Sequence, residues 1–202
     1  MMTADEALNK LREGNARFVS DVHFYEGYSF EKRRAELGES QFPLAVVLGC
    51  SDSRVPAELV FDQGLGDLFV VRVAGNVAAP SQLGSIEYAV SELNTPLVIV
   101  LGHSSCGAVK ASIEEFHKPS AGLSFGLSDL LGRIQPVVEK ELETNPDLKD
   151  LESRVVKANV KAVVQTLLAE SELIATKASS GKIKIVGAEY SIHSGIVDFF
   201  DD

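Results

Sequence analysis

The chain has 202 residues with a formal net charge of -10, 45% hydrophobic and 24% charged residues, and two cysteines. That balance speaks against a nucleic-acid or anionic-membrane surface, which needs a basic footprint. The apolar runs fall short of the roughly 18 residues of a membrane span, and two cysteines make no disulfide framework. Length and composition predict a single domain over residues 1–202 with its own core. The start, Met1 to Leu8, has neither a basic region nor an apolar signal core, which predicts a cytoplasmic protein.

Residues 3–19 read as an amphipathic helix. Thr3 and Glu6 fit a capping box, and Leu8, Leu11 and Phe18 fall at helical spacing. Residues 20–28 predict a loop carrying His23, Phe24, Tyr25 and Tyr28, and a charged helix over 29–38 stops at Gly38. This N-terminal arm, 1–38, carries aromatic residues outside any core pattern and is expected to pack on a partner subunit. Residues 44–49 form a continuous apolar run, as in a strand buried on both faces of a parallel sheet. Pro56 suits the start of a short helix, 56–60, with Ser53 as a partial cap. Phe69–Val73 predicts a second strand, 81–93 a helix, Pro96–Leu101 a third strand and Gly107–Phe116 a helix. After a Pro/Ser/Gly-rich loop, two helices follow over 127–143 and 148–178, the second ended by Gly181. Ile183–Val186 is a fourth strand; Tyr190–Gly195 predicts a turn into a last strand, Ile196–Phe200, close enough to pair antiparallel. The class is α/β: a mostly parallel central sheet of four strands, an antiparallel C-terminal edge strand, flanking helices and an N-terminal helical arm.

Both cysteines stand directly behind strand-like runs. The first gives Gly49–Cys50–Ser51–Asp52–Ser53–Arg54, the second Gly102–His103–Ser104–Ser105–Cys106–Gly107. In a parallel sheet ligands bind beyond the carboxyl ends of strands, so neighbouring strands would gather Cys50, His103 and Cys106 in one crevice. Two thiolates and an imidazole suit Zn²⁺, and a three-ligand set is the catalytic pattern. Plainer readings are buried core thiols, a disulfide, or Asp52–Arg54 as a surface ion pair. His23, His117 and His193 lack a motif and read as surface or packing residues. Gly102-x₄-Gly107 lacks the lysine of a phosphate loop, and Gly64–Leu–Gly66 precedes a strand, so neither supports nucleotide binding.

Cys50-x-Asp52-x-Arg54 with His103-x-x-Cys106–Gly107 resembles the signature of the β-class carbonic anhydrases. The likeness runs through about residues 35–113 and returns in Val186–Tyr190 and Val197–Phe200. The resemblance implies one Zn²⁺ per chain on Cys50, His103 and Cys106, with Asp52 and Arg54 as a catalytic dyad. In a closed state of that family the residue matching Asp52 becomes the fourth ligand. It further implies a substrate pocket of Gln41, Phe69, Val73, Tyr88 and Gly107, partly lined across a dimer interface, in a homodimer or dimer of dimers. Val47 stands where several bacterial members carry a tryptophan of a bicarbonate inhibitory site, which argues against that regulation. The implied reaction is reversible hydration of CO₂ to bicarbonate and a proton, through a zinc-bound hydroxide oriented by Asp52 and Arg54. The alternatives are hydrolysis of carbon disulfide or carbonyl sulfide on the same fold, and a non-catalytic zinc-binding protein.

Overall fold

The computed structural model describes residues 2–22 and 29–200; the predicted loop residues His23, Phe24, Tyr25 and Tyr28 lie outside them. Strands β1 (Ala45–Gly49), β2 (Leu68–Arg72), β3 (Leu97–His103), β4 (Lys184–Tyr190) and β5 (Val197–Phe200) form one sheet in the order β2-β1-β3-β4-β5. The first four are parallel and β5 runs antiparallel to β4 at the edge, as expected. Every residue of β1 and β3 is buried, which is why both read as unbroken apolar runs rather than alternating ones. From β1 the chain first adds β2 on one side and then β3 on the other. The sheet therefore has a switch point between β1 and β3, where crossovers leave on opposite faces and open a crevice at the strands' carboxyl ends.

Alternation along the strands splits the core into two layers. Ala45, Val47, Ile99, Leu101, Ala188 and Tyr190 face helix α1 (Ala4–Val19) and the short helix α3 (Ala57–Val60). Val46, Leu48, Val98 and Val100 face α4 (Pro80–Ser91) and α8 (Leu151–Glu170). Full burial of each such side chain is worth about 1.5–3 kcal/mol. The capping box of α1 is present: the Glu6 N–H donates to Thr3 Oγ1 at 3.2 Å, and the Thr3 N–H to Glu6 Oε2 at 2.7 Å. Ala7, Leu8 and Leu11 seat this helix on its own chain's sheet, whereas α2 (Phe30–Glu36) buries none of its residues.

Several boundaries differ from the sequence expectation. The helix expected over 127–143 is two, α6 (Phe125–Gly132) and α7 (Gln135–Thr144). Pro136 explains the break, since its ring clashes with the carbonyl four residues back, at Gly132, where α6 stops. The helix expected over 148–178 is likewise α8 followed by α9 (Glu172–Ser179). Between them Ser171 is extended, accepts from the Ile174 N–H and donates its hydroxyl to Glu87 of α4. Ser53 does not cap α3; Pro56 holds that position with no side-chain hydrogen bond. Strand β3 runs on through Gly102 and His103, and β4 through Tyr190, because the two pair over seven positions. Glycine permits this: a Cβ on Gly102 would lie 2.5 Å from Val160 Cγ2, and one on Gly187 2.8 Å from Val160 Cγ1. The α5 helix (Gly107–His117) follows β3 after a tight turn. Among the described residues no helix is long and apolar enough to cross a membrane.

Candidate metal centre

β1 delivers Cys50 at its carboxyl end, and β3 delivers His103 as its last residue. The turn through Ser105, which takes a left-handed φ of 56°, brings Cys106 back to the start of α5. The three ligand atoms lie within 4.8 Å of one another and all three residues are buried. Both cysteines are free, which removes the disulfide reading. His103 Nδ1 lies 2.9 Å from the Ser104 carbonyl, so this nitrogen carries the proton and leaves the lone pair on Nε2. That Nε2 is buried and has no hydrogen-bond partner. A buried lone pair beside two sulfurs is costly unless something accepts it, and a soft divalent cation is what this donor set fits.

Of the two thiols, Cys50 is biased toward thiolate. Contact with the Cys106 thiol, helped by the Gly75 N–H, holds Cys50 well below the ordinary thiol range against the burial that opposes it. The same contact, together with burial, pushes Cys106 up, so the pair shares one proton. The Gly75 N–H donates to Cys50 Sγ at 3.3 Å from the 3₁₀ turn Ala74–Asn76, which follows β2.

Asp52 and Arg54 meet in a fork. Arg54 Nε donates to Oδ1 at 2.9 Å and Nη2 to Oδ2 at 2.7 Å, while the Arg54 backbone N–H also donates to Oδ1 at 2.9 Å. The Arg54 guanidinium holds the Asp52 carboxyl well below the usual carboxylate range. Asp52 Oδ2 stands 3.9 Å from His103 Nε2, so an ionised carboxylate borders the donor set. Arg54 Nη2 also donates to the Ser105 carbonyl at 3.2 Å, tying the two strand-end loops together.

Of the other residues expected at the site, Val73 and Gly107 lie at this end. The Val73 N–H donates to the Gly49 carbonyl at 3.1 Å, and Gly107 opens α5 beside Cys106. Gln41, Phe69 and Tyr88 lie elsewhere in the chain. Phe69 is level with Val46, four residues and about 13 Å back along the strand from Cys50. Its ring centroid is 6.3 Å from that of Tyr88, and Tyr88 and Gln41 line one cavity of about 720 Å³ with Phe42, Leu93 and Pro96. His117 and His193 are exposed and away from any cluster. Two participants escaped the sequence reading. Arg72 donates to the carbonyls of Cys50 at 2.9 Å and Asp52 at 2.6 Å, fixing the first loop. A charged residue ending an apolar strand was the available signal. The Gly75 amide left no signal, because backbone donors carry no side-chain signature.

Fold and centre together define an α/β protein whose strand-end crevice holds a buried Cys₂His donor set next to an Asp–Arg pair. The family model described as "Carbonic anhydrase" matches residues 45–197. The carbonic anhydrase of Mycolicibacterium smegmatis is 42% identical over 192 residues, 95% of this chain and 91% of the relative. The β-carbonic anhydrase CafA of Aspergillus fumigatus superposes with a TM-score of 0.76 at 26% identity, over 98% of this chain and 90% of that one. A tetrameric β-carbonic anhydrase of Sordaria macrospora shares the fold, with a TM-score of 0.74 at 24% identity over 88% and 90% of the two chains. The chain belongs to the β-class carbonic anhydrases.

Proposed function

We propose that this enzyme catalyses the reversible hydration of CO₂ to bicarbonate and a proton, with Zn²⁺ held by Cys50, His103 and Cys106. The observation that carries the reading is the unpartnered, buried His103 Nε2 among two sulfurs, with an ionised Asp52 at its border. Zinc, when bound, supplies the Lewis acidity that makes water nucleophilic near neutral pH. The chain's own residues then do the positioning. Ionised Asp52 can only accept, so it takes the hydrogen of the attacking oxygen and turns a lone pair toward the carbon of CO₂. Arg54 keeps Asp52 charged and fixes its plane through the fork. Val73 offers an apolar wall to a substrate that has no net charge.

Gln41, Phe69 and Tyr88 serve the centre of a second subunit in this reading. Phe69 lies too far back along the sheet to reach its own Cys50, and Gln41 and Tyr88 border an open cavity with the exposed Phe42. Gln41 of the partner subunit would donate its amide to the oxygen on which charge develops. A homodimer, or a dimer of dimers as in the tetrameric neighbour, follows. The dimer would also cover the N-terminal arm, where α2 buries nothing of its own.

Stopped-flow CO₂ hydration on zinc-loaded protein, with carbonyl sulfide and carbon disulfide hydrolysis measured alongside, tests the reading. CO₂ should be the preferred substrate by a wide margin. Faster turnover of either sulfur compound would reverse the assignment.

A further inference from the structure

The donor set continues outward into α8. That helix buries a stripe of Val155, Val156, Val160, Val163 and Leu167, yet within the same stripe stands Asn159, 2% exposed. A buried amide in an apolar stripe is unfavourable unless it is hydrogen-bonded, and asparagine is a poor helix former, so leucine would be the less costly choice. Asn159 Nδ2 donates to the Gly75 carbonyl at 3.0 Å, across 84 residues of sequence. Gly75 in turn donates its N–H to Cys50 Sγ at 3.3 Å.

The segment between these two bonds is buried and packs against β1, β3 and α5. Gly75 and Asn76 both take left-handed φ values, 67° and 44°, and the turn has one hydrogen bond of its own, from the Asn76 N–H to the Val73 carbonyl at 3.0 Å. Two adjacent left-handed residues are an unfavoured backbone that persists only where its surroundings fix it. Ile134 and Ala108 pack close against the Gly75 Cα, leaving no room for a side chain: an added Cβ would lie 2.7 Å from Ile134 Cδ1. Packing thus presses on the turn, and Asn159 is the side chain that bonds the Gly75–Asn76 peptide, next to the peptide whose N–H meets Cys50 Sγ.

We infer that Asn159 is a positioning residue for the metal centre, aiming the Gly75 N–H at Cys50 Sγ and thereby setting how strongly that sulfur donates to the metal. The inference rests on the zinc reading of Cys50, His103 and Cys106. A hydrogen bond to a ligating sulfur withdraws charge from it, and partners outside the ligand set commonly govern metal affinity by about 10–100-fold.

The test compares wild type, Asn159→Leu and Asn159→Ala, with Val163→Ala as a control that weakens packing of the same helix without touching the turn. Zinc affinity is read by competition with a chromophoric chelator. The thiolate-to-metal charge-transfer band is read on cobalt-substituted protein, and unfolding on each variant. Both Asn159 variants should bind zinc about 10–100-fold more weakly, because the turn no longer holds Cys50 Sγ in its place among the three donors. Their cobalt band should move to lower energy, as a sulfur stripped of its donor becomes more electron-rich. Val163→Ala should lose stability with affinity and band unchanged. The alanine variant carries the test if the leucine does not fold. Asn159 variants with wild-type affinity and band would overturn the inference, as would a Val163→Ala protein that loses as much affinity as they do. Wild-type protein that takes up neither metal at these ligands would instead remove the zinc reading, and the inference with it.

Discussion

Asp52→Asn changes one atom and tests the dyad from two sides. In the native protein the carboxylate receives two bonds of the Arg54 fork, at 2.7 and 2.9 Å, and one from the Arg54 backbone, at 2.9 Å. Hydrogen bonds to charged groups are worth about 1.5–3 kcal/mol each when buried. Here the Arg54 side chain is 51% exposed and Asp52 16%, so solvent screening leaves only a small net stabilisation. The asparagine also turns an amide donor toward the guanidinium. Because Asp52's pKa is depressed by folding, its contribution is fully present above the ordinary carboxylate value of about 3.9 and fades as pH falls toward the folded value. The stability gap between wild type and Asp52→Asn should therefore be constant from pH 8 to 5 and close below about pH 4. The activity loss should be much larger than the stability loss. Without an acceptor to orient the attacking oxygen, about 3 kcal/mol of transition-state stabilisation is forfeited, or roughly 10²–10³-fold in kcat. Stopped-flow hydration with zinc content measured on the same sample, alongside chemical denaturation, reads both. An Asp52→Asn protein with full zinc and wild-type turnover would refute the assigned role, and a gap that already narrowed above pH 5 would refute the depressed pKa.

Three further outcomes follow from other parts of the structure. Mixing Gln41→Ala chains with Cys50→Ser chains, each nearly inactive alone, should restore up to about a quarter of wild-type activity, because half the dimers are mixed and each has one intact site; no recovery after subunit exchange would place Gln41 and Cys50 in the same subunit's site. Gly102→Ala puts a methyl 2.5 Å from Val160 Cγ2 and should cost about 1–3 kcal/mol by overpacking. Adding Val160→Ala should recover part of that loss, and purely additive losses in a double-mutant cycle would argue against the contact. Glu189 is raised above the ordinary carboxylate range by desolvation, which Lys157 at 3.7 Å only partly offsets while Asp198 adds to it. A raised carboxyl penalises the folded state once ionised, so Glu189→Gln should raise the melting temperature at pH 8 and leave it unchanged at pH 4, where both forms are neutral; a lower melting temperature at pH 8 would show that the Lys157 pair dominates.

The sheet and the Cys50–His103–Cys106 cluster were legible because both are written locally. β1 and β3 are buried on both faces, so burial appears as unbroken apolar runs, and the three clustered residues follow these runs closely. The capping box of α1 was equally local. What stayed hidden depends on contacts distant in sequence. Ser171 breaks the α8–α9 stretch by bonding Glu87, 84 residues away, while helical spacing runs on through the break. Gly187 resembles the end of a strand, yet it is the space that lets Val160 approach and β4 continue. Nothing in the neighbourhood of Asn159 announces the Gly75 carbonyl it holds. Gln41 stands nine residues before Cys50 in the chain, but along a straight strand that separation becomes length, so nearness in sequence put it at the opposite end of the sheet.

The central claim is that Cys50, His103 and Cys106 hold the zinc at which CO₂ is hydrated. It is tested most directly by adding zinc stepwise to metal-free protein and following stopped-flow CO₂ hydration against bound metal. Activity should rise in proportion to zinc and stop rising at one ion per chain, and Cys106→Ser should abolish both binding and turnover. Protein that fills to one zinc per chain and still hydrates no CO₂ would contradict the account.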